Sequence, residues 1–496
     1  MIFVYLLSGL FLGWSLGAND TGNIFGAAVE TRMLKFKSAA LIAAIFIALG
    51  AILEGSGPSG TLGKLGSVDA LGGAFTVALA AAATITVIVR TGIPVSTSQT
   101  IVGAIIGWNY FSHRLTDFRS LLTIASSWVS AFLLAGLIAA GLYYIFRDRV
   151  NRSKVHLLEQ DFYTRLGLIV IGAFGAYSLG ANNIANVVGV FVPVTPFKDL
   201  NIGGLFVLSG VMQLYILGTL SIIIGIYTYS HKVMRTVGKD LFQLSPLTAL
   251  IALLSEAIVL FMFSSRGLYN LLHSLHLPTI PLVPVSSSQV IVGAIVGIGL
   301  AKGGKNIRYN ILGKISIAWV AAPVIAFFFS FVALFIIQNV FEQTVNMEMS
   351  YVFDRVTITE IERQGYDTKH FSMVNGRSFE NEITLFNELK EQSSFNHEEL
   401  LDIIRVTEVH TMIVDTEILQ KKGMTGRFSA EQWKALDELD GRKYRHKWQL
   451  AEDLANFPCW QISVDKTNPI EKNRNHDINA NLDTLYRSFY LPKKPK

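Results

Sequence analysis

Two polar motifs, each written twice, carry the chemistry this chain can offer. Residues 15–26 read SLGANDTGNIFG and residues 178–189 read SLGANNIANVVG, identical at 7 of 12 positions. Residues 94–107 read PVSTSQTIVGAIIG and residues 284–297 read PVSSSQVIVGAIVG, identical at 11 of 14. In the first motif Asn19, Asp20 and Asn23 supply hard oxygen ligands suited to a cation such as Na⁺, and Asn182, Asn183 and Asn186 repeat the arrangement. Asn19 and Asn23 stand four residues apart, on one face of a helix. The glycines there predict a break in the helix and a close approach of backbone to a ligand. In the second motif Pro94 ends the preceding segment, and Ser96, Thr97, Ser98 and Gln99 fall at the start of a half-helix. Free N–H groups and a partial charge of about +0.5 make such a start an oxyanion site. Pro284, Ser286, Ser287, Ser288 and Gln289 mirror it, so two positive helix ends can clasp one tetrahedral anion.

Taken singly, a Ser/Thr run after proline is most often a simple N-cap, and a lone GAND can be a turn. Two copies of both, in the same order, instead mark an internal repeat. Both motifs are embedded in apolar sequence, where an unpaired backbone group costs several kcal/mol in lipid. A charge at the bilayer centre costs roughly 2.5–3.5 kcal/mol on insertion scales. Membrane proteins usually retain such groups for transport.

The elements that position the motifs follow from composition. The chain is 51% hydrophobic and 16% charged, with a mean hydropathy of +0.42, against about 25% charged residues in soluble domains. Residues 1–339 hold 21 Lys and Arg against 11 Asp and Glu, and residues 340–496 hold 21 against 26. An apolar, basic body thus carries an acidic tail, and the net charge of +5 implies no nucleic-acid partner. The single cysteine, Cys459, excludes an intrachain disulfide framework. Residues 2–16 lack a basic leader and run straight into GANDTGN, which reads as a first span and not as a cleaved signal peptide.

Windows long enough to cross a bilayer occur near 2–29, 38–54, 71–90, 119–146, 163–194, 203–229, 245–264 and 310–339. Two shorter ones, near 98–111 and 289–301, read as half-helices or re-entrant hairpins. The expected fold is an all-α polytopic membrane protein of two inverted-topology repeats with broken or re-entrant helices. Repeat 1 spans 1–150, repeat 2 spans 151–340, and 341–496 form a soluble, mostly helical domain. Segments Glu380–Lys390 and Asn396–Arg405 have helical spacing of apolar residues. Cations cluster after the first span (Arg32, Lys35, Lys37) and after the fifth segment (Arg147, Arg149, Arg152, Lys154). They cluster again after the seventh (Lys232, Arg235, Lys239) and the ninth (Lys302, Lys305, Arg308). The connections at 54–70, 195–202 and 266–288 are poorer in them. Cationic loops face the cytoplasm, which puts both the N-terminus and the tail on the non-cytoplasmic side of a plasma or inner membrane. An odd number of crossings separates the motif copies, so the halves run upside down to one another, the architecture of secondary transporters.

With these residues in hand, the chain resembles the PiT family of inorganic phosphate transporters, whose signature is GANDxAN at the start of each half and PVSTTH near its end. The likeness covers about residues 8–335, with VMRTVGKDL at 233–241 similar to the family's basic loop; the tail lies outside it. The resemblance implies cation-coupled symport of phosphate, a site built from both motifs, and a homodimer. Phosphate would meet Asp20, Ser96, Thr97, Ser98, Gln99, Asn183, Ser286, Ser287, Ser288 and Gln289. The coupling ion would meet Asn19, Asp20, Asn23, Asn182, Asn183 and Asn186. No cofactor beyond that ion is implied, and no enzymatic activity. The chain departs from the pattern at Asn183, where the family has a second Asp, and at Gln99 and Gln289, where it has His. A family glutamate of the second span aligns with Ile47, and its second-half counterpart with Leu253. Gln cannot shuttle protons as His does, which favours Na⁺ over H⁺ as the driving ion. Phosphate near neutral pH keeps a proton to donate to Asp20, and sulfate has none, which favours phosphate over sulfate or another oxyanion.

Glu256 lies inside an apolar window, by default a functional position, where it can pair with a cation, line the path or be buried as a structural group. Arg90 reads as interfacial, and His273 and His276 as loop residues in water. GLAKGGKN at 299–306 nearly spells a P-loop but ends in Asn where Ser or Thr must hold Mg²⁺. A channel or a phosphate-sensing receptor are the rival classes; paired inverted half-helices suit an occluded site with alternating access instead.

Overall fold

The computed structural model describes residues 2–66, 68–91, 93–152, 156–197, 199–202, 206–231, 245–304, 309–371, 374–421, 424, 426–463 and 469–491. Lys154, Lys232, Lys305, Arg308 and the basic stretch 233–241 lie outside the described residues. The chain divides into two compact units. The first comprises Met1–Ser112, Thr116–Pro196 and Val211–Asn346; the second comprises His113–Leu115, Phe197–Gly210 and Met347–Lys496.

The first unit is helical. In order come α1 (Ile2–Glu30), α2 (Phe36–Glu54), α3 (Ser56–Leu65), α4 (Leu71–Val89), α5 (Thr97–Phe111), α6 (Phe118–Arg152) and α7 (Leu157–Val188). Then follow α8 (Gly210–Thr228), α9 (Pro246–Ser264), α10 (Arg266–Ser274), α11 (Ser287–Ala301) and α12 (Tyr309–Asn339). Among the described residues seven of these, α2, α4, α6, α7, α8, α9 and α12, are long and apolar enough to cross a membrane. The protein is an all-α polytopic integral membrane protein. The two 15-residue helices α5 and α11 start and stop at the positions expected of the half-helices.

Three local expectations change. Helices α1 and α7 run unbroken through their GAND motifs, because the glycines serve packing and not a bend. A methyl group on Gly17 would sit 2.0 Å from the carbonyl oxygen of Ile222, and one on Gly180 would sit 2.1 Å from that of Ile47. Small residues of this kind let membrane helices touch backbone to backbone. The matched contacts make Ile222, on α8, the packing counterpart of Ile47. Second, the connections at 54–70 and 266–288 contain α3 and α10, so His273 is a half-buried helical residue stacked on Tyr269. Ser265 caps α10 by accepting from the Leu268 N–H, a signal legible in the sequence. Third, part of the window at 203–229 is strand: Phe206–Leu208 (β2) pairs antiparallel with Leu200–Ile202 (β1), and the helix starts at Gly210.

The glycine-mediated crossings recur. Gly103 and Gly107 of α5 lie against the carbonyl oxygens of Pro323 and Phe327 on α12, while Gly293 and Gly297 of α11 lie against those of Phe132 and Gly136 on α6. Each half-helix is thus gripped by the long last helix of the opposite half. Helices α6 and α12 are the least buried of the spans, leaving most of their apolar surface for lipid. The first unit runs past Asn339 to Asn346, and the Trp108 indole donates to the Val345 carbonyl (2.9 Å).

The second unit carries β3 (Ser350–Val352), α13 (Arg355–Arg363), β4 (Ser378–Phe379), α14 (Glu382–Gln392), α15 (His397–Thr407), β5 (Glu408–Val409) and β6 (Met412–Ile413). It ends with α16 (Thr416–Lys421), α17 (Ala430–Glu438), β7 (Lys443–Tyr444), α18 (Lys447–Ala455) and α19 (Pro469–Phe489). The expected helices are α14 and α15, capped by Asn381 and Asn396. Two apolar clusters form its interior, one around Phe353, Phe371 and Leu385 and one around Leu436, Leu450 and Phe489. The unit also buries His410 and His446. Burial, with Lys447 adding to it, pushes the His410 imidazole down to about 4, and burial also lowers His446. Burial opposes ionisation of Glu408, but Lys447, Arg114 and His410 together hold its carboxyl below the usual range.

All three shifts have the same sign for stability. A histidine whose folded value lies below its unfolded 6.5 is stabilising above pH 6.5 and loses that contribution as pH falls toward 4. For His410 the loss between pH 6.5 and 4.5 is roughly 2 kcal/mol. Hydrogen exchange across residues 400–491 of the full-length protein should therefore accelerate on acidification, and His410→Gln should flatten that profile. An identical acid profile in the variant removes His410 from the effect.

Candidate functional site

Helices α1 and α7 each bring their GAND motif into the interior of the first unit, and α5 and α11 bring the starts of their PVS motifs there. Asp20 joins them. Its Oδ2 accepts from Asn183 Nδ2 on α7 (2.8 Å) and from Ser287 Oγ on α11 (3.1 Å). Its Oδ1 accepts from Asn19 Nδ2 (3.0 Å). Residues 163 and 267 positions away in the chain thus converge on one carboxylate. All sixteen motif positions singled out in the sequence are in the described residues, and fourteen of them are buried, with Asn23 and Pro94 half-buried.

The two PVS stretches meet. Ser98 Oγ donates to the Val285 carbonyl (3.0 Å), and Ser288 Oγ donates to the Val95 carbonyl (3.4 Å). This reciprocal pair ties each helix start to the extended strand that leads into the other. Asn182 splints one side: its Nδ2 donates to the Val285 carbonyl (2.8 Å) and its Oδ1, the atom expected to face a cation, accepts from the Val285 N–H (2.9 Å). Asn186 Nδ2 donates to Ser98 Oγ (2.9 Å), and the Trp128 indole of α6 donates to the Pro284 carbonyl (3.4 Å). The carbonyls of Val95, Pro284 and Val285 are the partners that reading side chains alone missed; their signal was the repeated Pro-Val before each serine.

The hydroxyls divide by task. Ser96 and Ser286 are ordinary N-caps, with near-identical backbone angles (φ −83°, ψ 109° and φ −83°, ψ 107°), and each accepts from the N–H three residues on. Capping takes one donor that the anion site was expected to offer. Ser98 and Ser288 hold the crossing, and Ser286 and Ser288 share a further contact of 3.1 Å. Thr97, the first residue of α5, remains closest in role to the expected donors, whereas Ser287, the first of α11, gives its hydroxyl hydrogen to Asp20. Among the described residues Thr97 Oγ1, Gln99 Oε1, Gln289 Oε1, Asn23 Nδ2 and Asn186 Oδ1 are buried without a hydrogen-bond partner. Buried polar atoms are rarely left so, and these five come from all four motif copies. The arrangement offers one carboxylate, amide oxygens and hydroxyls to a hard cation, and hydroxyl and amide donors at two helix starts to an oxyanion.

Arg90 is exposed at the C-terminal end of α4. Glu256, on α9, is fully buried.

Comparison with known proteins follows the same lines. A protein of Methanocaldococcus jannaschii, provisionally named a phosphate permease, is 28% identical over 327 residues, covering 66% of this chain and 95% of its own length. A Haemophilus influenzae protein of the same provisional name is 23% identical over 429 residues, covering 69% and 97%. A solved structure titled the sodium-dependent phosphate transporter shares the fold, with a TM-score of 0.56 at 22% identity, covering 68% of this chain and 98% of that one. The model of the phosphate transporter family matches residues 16–269 and 274–452. The match runs on into the second unit, so the resemblance does not stop near residue 335. A family match over most of the chain, on a helical fold whose four motif copies converge, makes this chain a member of the phosphate transporter family.

Proposed function

We propose that the chain imports inorganic phosphate by Na⁺ symport through alternating access. The observation that carries this reading is the sharing of the Asp20 carboxylate by Asn183 of one repeat and Ser287 at the start of α11. A single acid at the meeting point of four polar motifs suits two tasks. It attracts the driving cation, and it accepts the proton that phosphate near neutral pH still holds. In this reading phosphate lies between the starts of α5 and α11 and contacts Thr97, Gln99, Ser287, Gln289 and Asp20, with Ser96, Ser98, Ser286 and Ser288 shaping that seat. Na⁺ is held by Asp20 with Asn19, Asn23, Asn183 and Asn186, while Asn182 positions the Val285 turn. The matched Gly17–Ile222 and Gly180–Ile47 crossings support two inverted repeats, and inversion lets one site open to either side by rocking one bundle against the other. The homodimer implied by the resemblance belongs to this proposal. So does a non-cytoplasmic second unit, supported by its inclusion of the cation-poor connection at 197–210.

Radiolabelled phosphate uptake into proteoliposomes tests the reading. Accumulation is expected only with an inward Na⁺ gradient, with arsenate competing and sulfate not. Accumulation driven equally well by a proton gradient alone sinks the coupling ion, and competition by sulfate sinks the substrate. Binding without accumulation would make the protein a receptor, and flux without coupling a channel.

A further inference from the structure

Glu256 is used by none of the hydrogen bonds that build the site. Its side chain is fully buried in the middle of α9, yet neither carboxylate oxygen has a hydrogen-bond partner among the described residues. Helix α9 packs against α7, α1 and α11, the three helices that meet at Asp20. Gly175 marks the crossing: a methyl group there would touch Leu253 (3.4 Å) and Ala257 (3.7 Å) of α9 and Ile24 (3.6 Å) of α1. Ile24 is one turn beyond Asp20, and Leu253 and Ala257 flank Glu256. The charge brought within Coulombic reach of Glu256 is the Asp20 carboxylate.

Two buried carboxylates in one seam repel, and among the described residues no lysine or arginine answers either of them. A neutral structural glutamic acid would place its O–H on a carbonyl or hydroxyl, since an unmade hydrogen bond costs about 1–3 kcal/mol when buried. Glu256 makes none. What answers two carboxylates with free oxygen lone pairs is a small hard cation.

We propose that Glu256 and Asp20 together hold a coupling Na⁺, with Glu256 supplying the second negative charge that Asn183 does not. This rests on the Na⁺-symport reading and goes beyond it by adding a ligand from outside both motif pairs. The charge enters from α9, an element that carries neither motif.

The test is the Na⁺ dependence of phosphate uptake in proteoliposomes for the wild type, Glu256→Gln and Glu256→Asp, with Na⁺ protection against thermal unfolding measured on the same purified proteins. Glu256→Gln should raise the Na⁺ concentration for half-maximal uptake about tenfold or more and lower the Hill coefficient for Na⁺. It should also lose most of the Na⁺-induced rise in melting temperature. Glu256→Asp keeps the charge and should stay within about threefold of wild type. A Glu256→Gln protein with wild-type Na⁺ dependence and wild-type protection overturns the proposal. So does a Glu256→Asp protein impaired as severely as Glu256→Gln, which marks a packing role. If Glu256→Gln transports nothing, an unchanged Na⁺ protection overturns the proposal and a lost one supports it. Wild-type uptake that needs no Na⁺ would instead bring down the symport reading itself, and this assignment with it.

Discussion

Asp20→Asn is expected to abolish phosphate accumulation while leaving a folded protein. The carboxylate collects three donors, from Asn183, Ser287 and Asn19. Asn keeps the shape and one acceptor, which can still serve Asn183 and Ser287. Its amide nitrogen then meets the Asn19 Nδ2 donor, N–H against N–H, and that contact is lost. The larger loss is charge. A neutral amide neither balances a buried Na⁺ nor accepts as strongly from a phosphate hydroxyl. Hydrogen bonds to charged groups contribute about 1.5–3 kcal/mol, so losing the acceptor charge for phosphate lowers the initial rate roughly 10- to 100-fold. In the proposed symport, loss of this ligand to the coupling ion removes accumulation altogether. Uptake in proteoliposomes under a Na⁺ gradient measures both, and wild-type-like accumulation by the variant would remove Asp20 from the mechanism.

Gly180→Val should be the most damaging substitution that touches no functional group. Its Cβ would fall 2.1 Å from the Ile47 carbonyl oxygen and 2.8 Å from the carbonyl carbon. Those are backbone atoms of a packed helix and cannot turn aside as a side chain could. The neighbouring contact is equally tight, since a methyl group on Gly50 would lie 1.9 Å from the Tyr177 oxygen. Helices α2 and α7 must therefore separate, and α7 carries Asn182, Asn183 and Asn186 with it. Overpacking typically costs about 1–3 kcal/mol where side chains can adjust, and this clash leaves no such relief. Size-exclusion chromatography in detergent should show aggregated protein or little protein at all. Gly141→Ala on α6, where a methyl group meets nothing within 4 Å, should behave as wild type or slightly better, because alanine is the stronger helix former. Equal behaviour of the two variants would refute the packing role of Gly180.

The contrast between these glycines shows how the sequence could mislead. GANDTGN reads as a place where a helix breaks, since glycine is a poor helix former in water. Surrounded by other helices in an apolar solvent, the backbone keeps its own hydrogen bonds and the missing side chain becomes a contact surface. The serines divide similarly. Ser96, Ser98, Ser286 and Ser288 look alike in the motif, yet two cap their own helices and two reach across to the opposite motif. Nothing in PVSTSQ distinguishes them, because the choice depends on the Val95 and Val285 carbonyls, which lie 193 and 187 residues from the serines that use them.

By itself the sequence determined the apolar helices, their approximate ends, the four motif copies and the residues worth suspecting. Lipid imposes that legibility: a segment of fixed length must be apolar and satisfy its own backbone, so windows of hydropathy translate directly into helices. Only the tertiary structure decided that α1 and α7 pass unbroken through their motifs, that Gly17 and Gly180 seat against Ile222 and Ile47, and that Asn183 and Ser287 share Asp20. Those outcomes depend on which side chains of distant segments arrive within hydrogen-bonding distance, and local composition does not encode that distance.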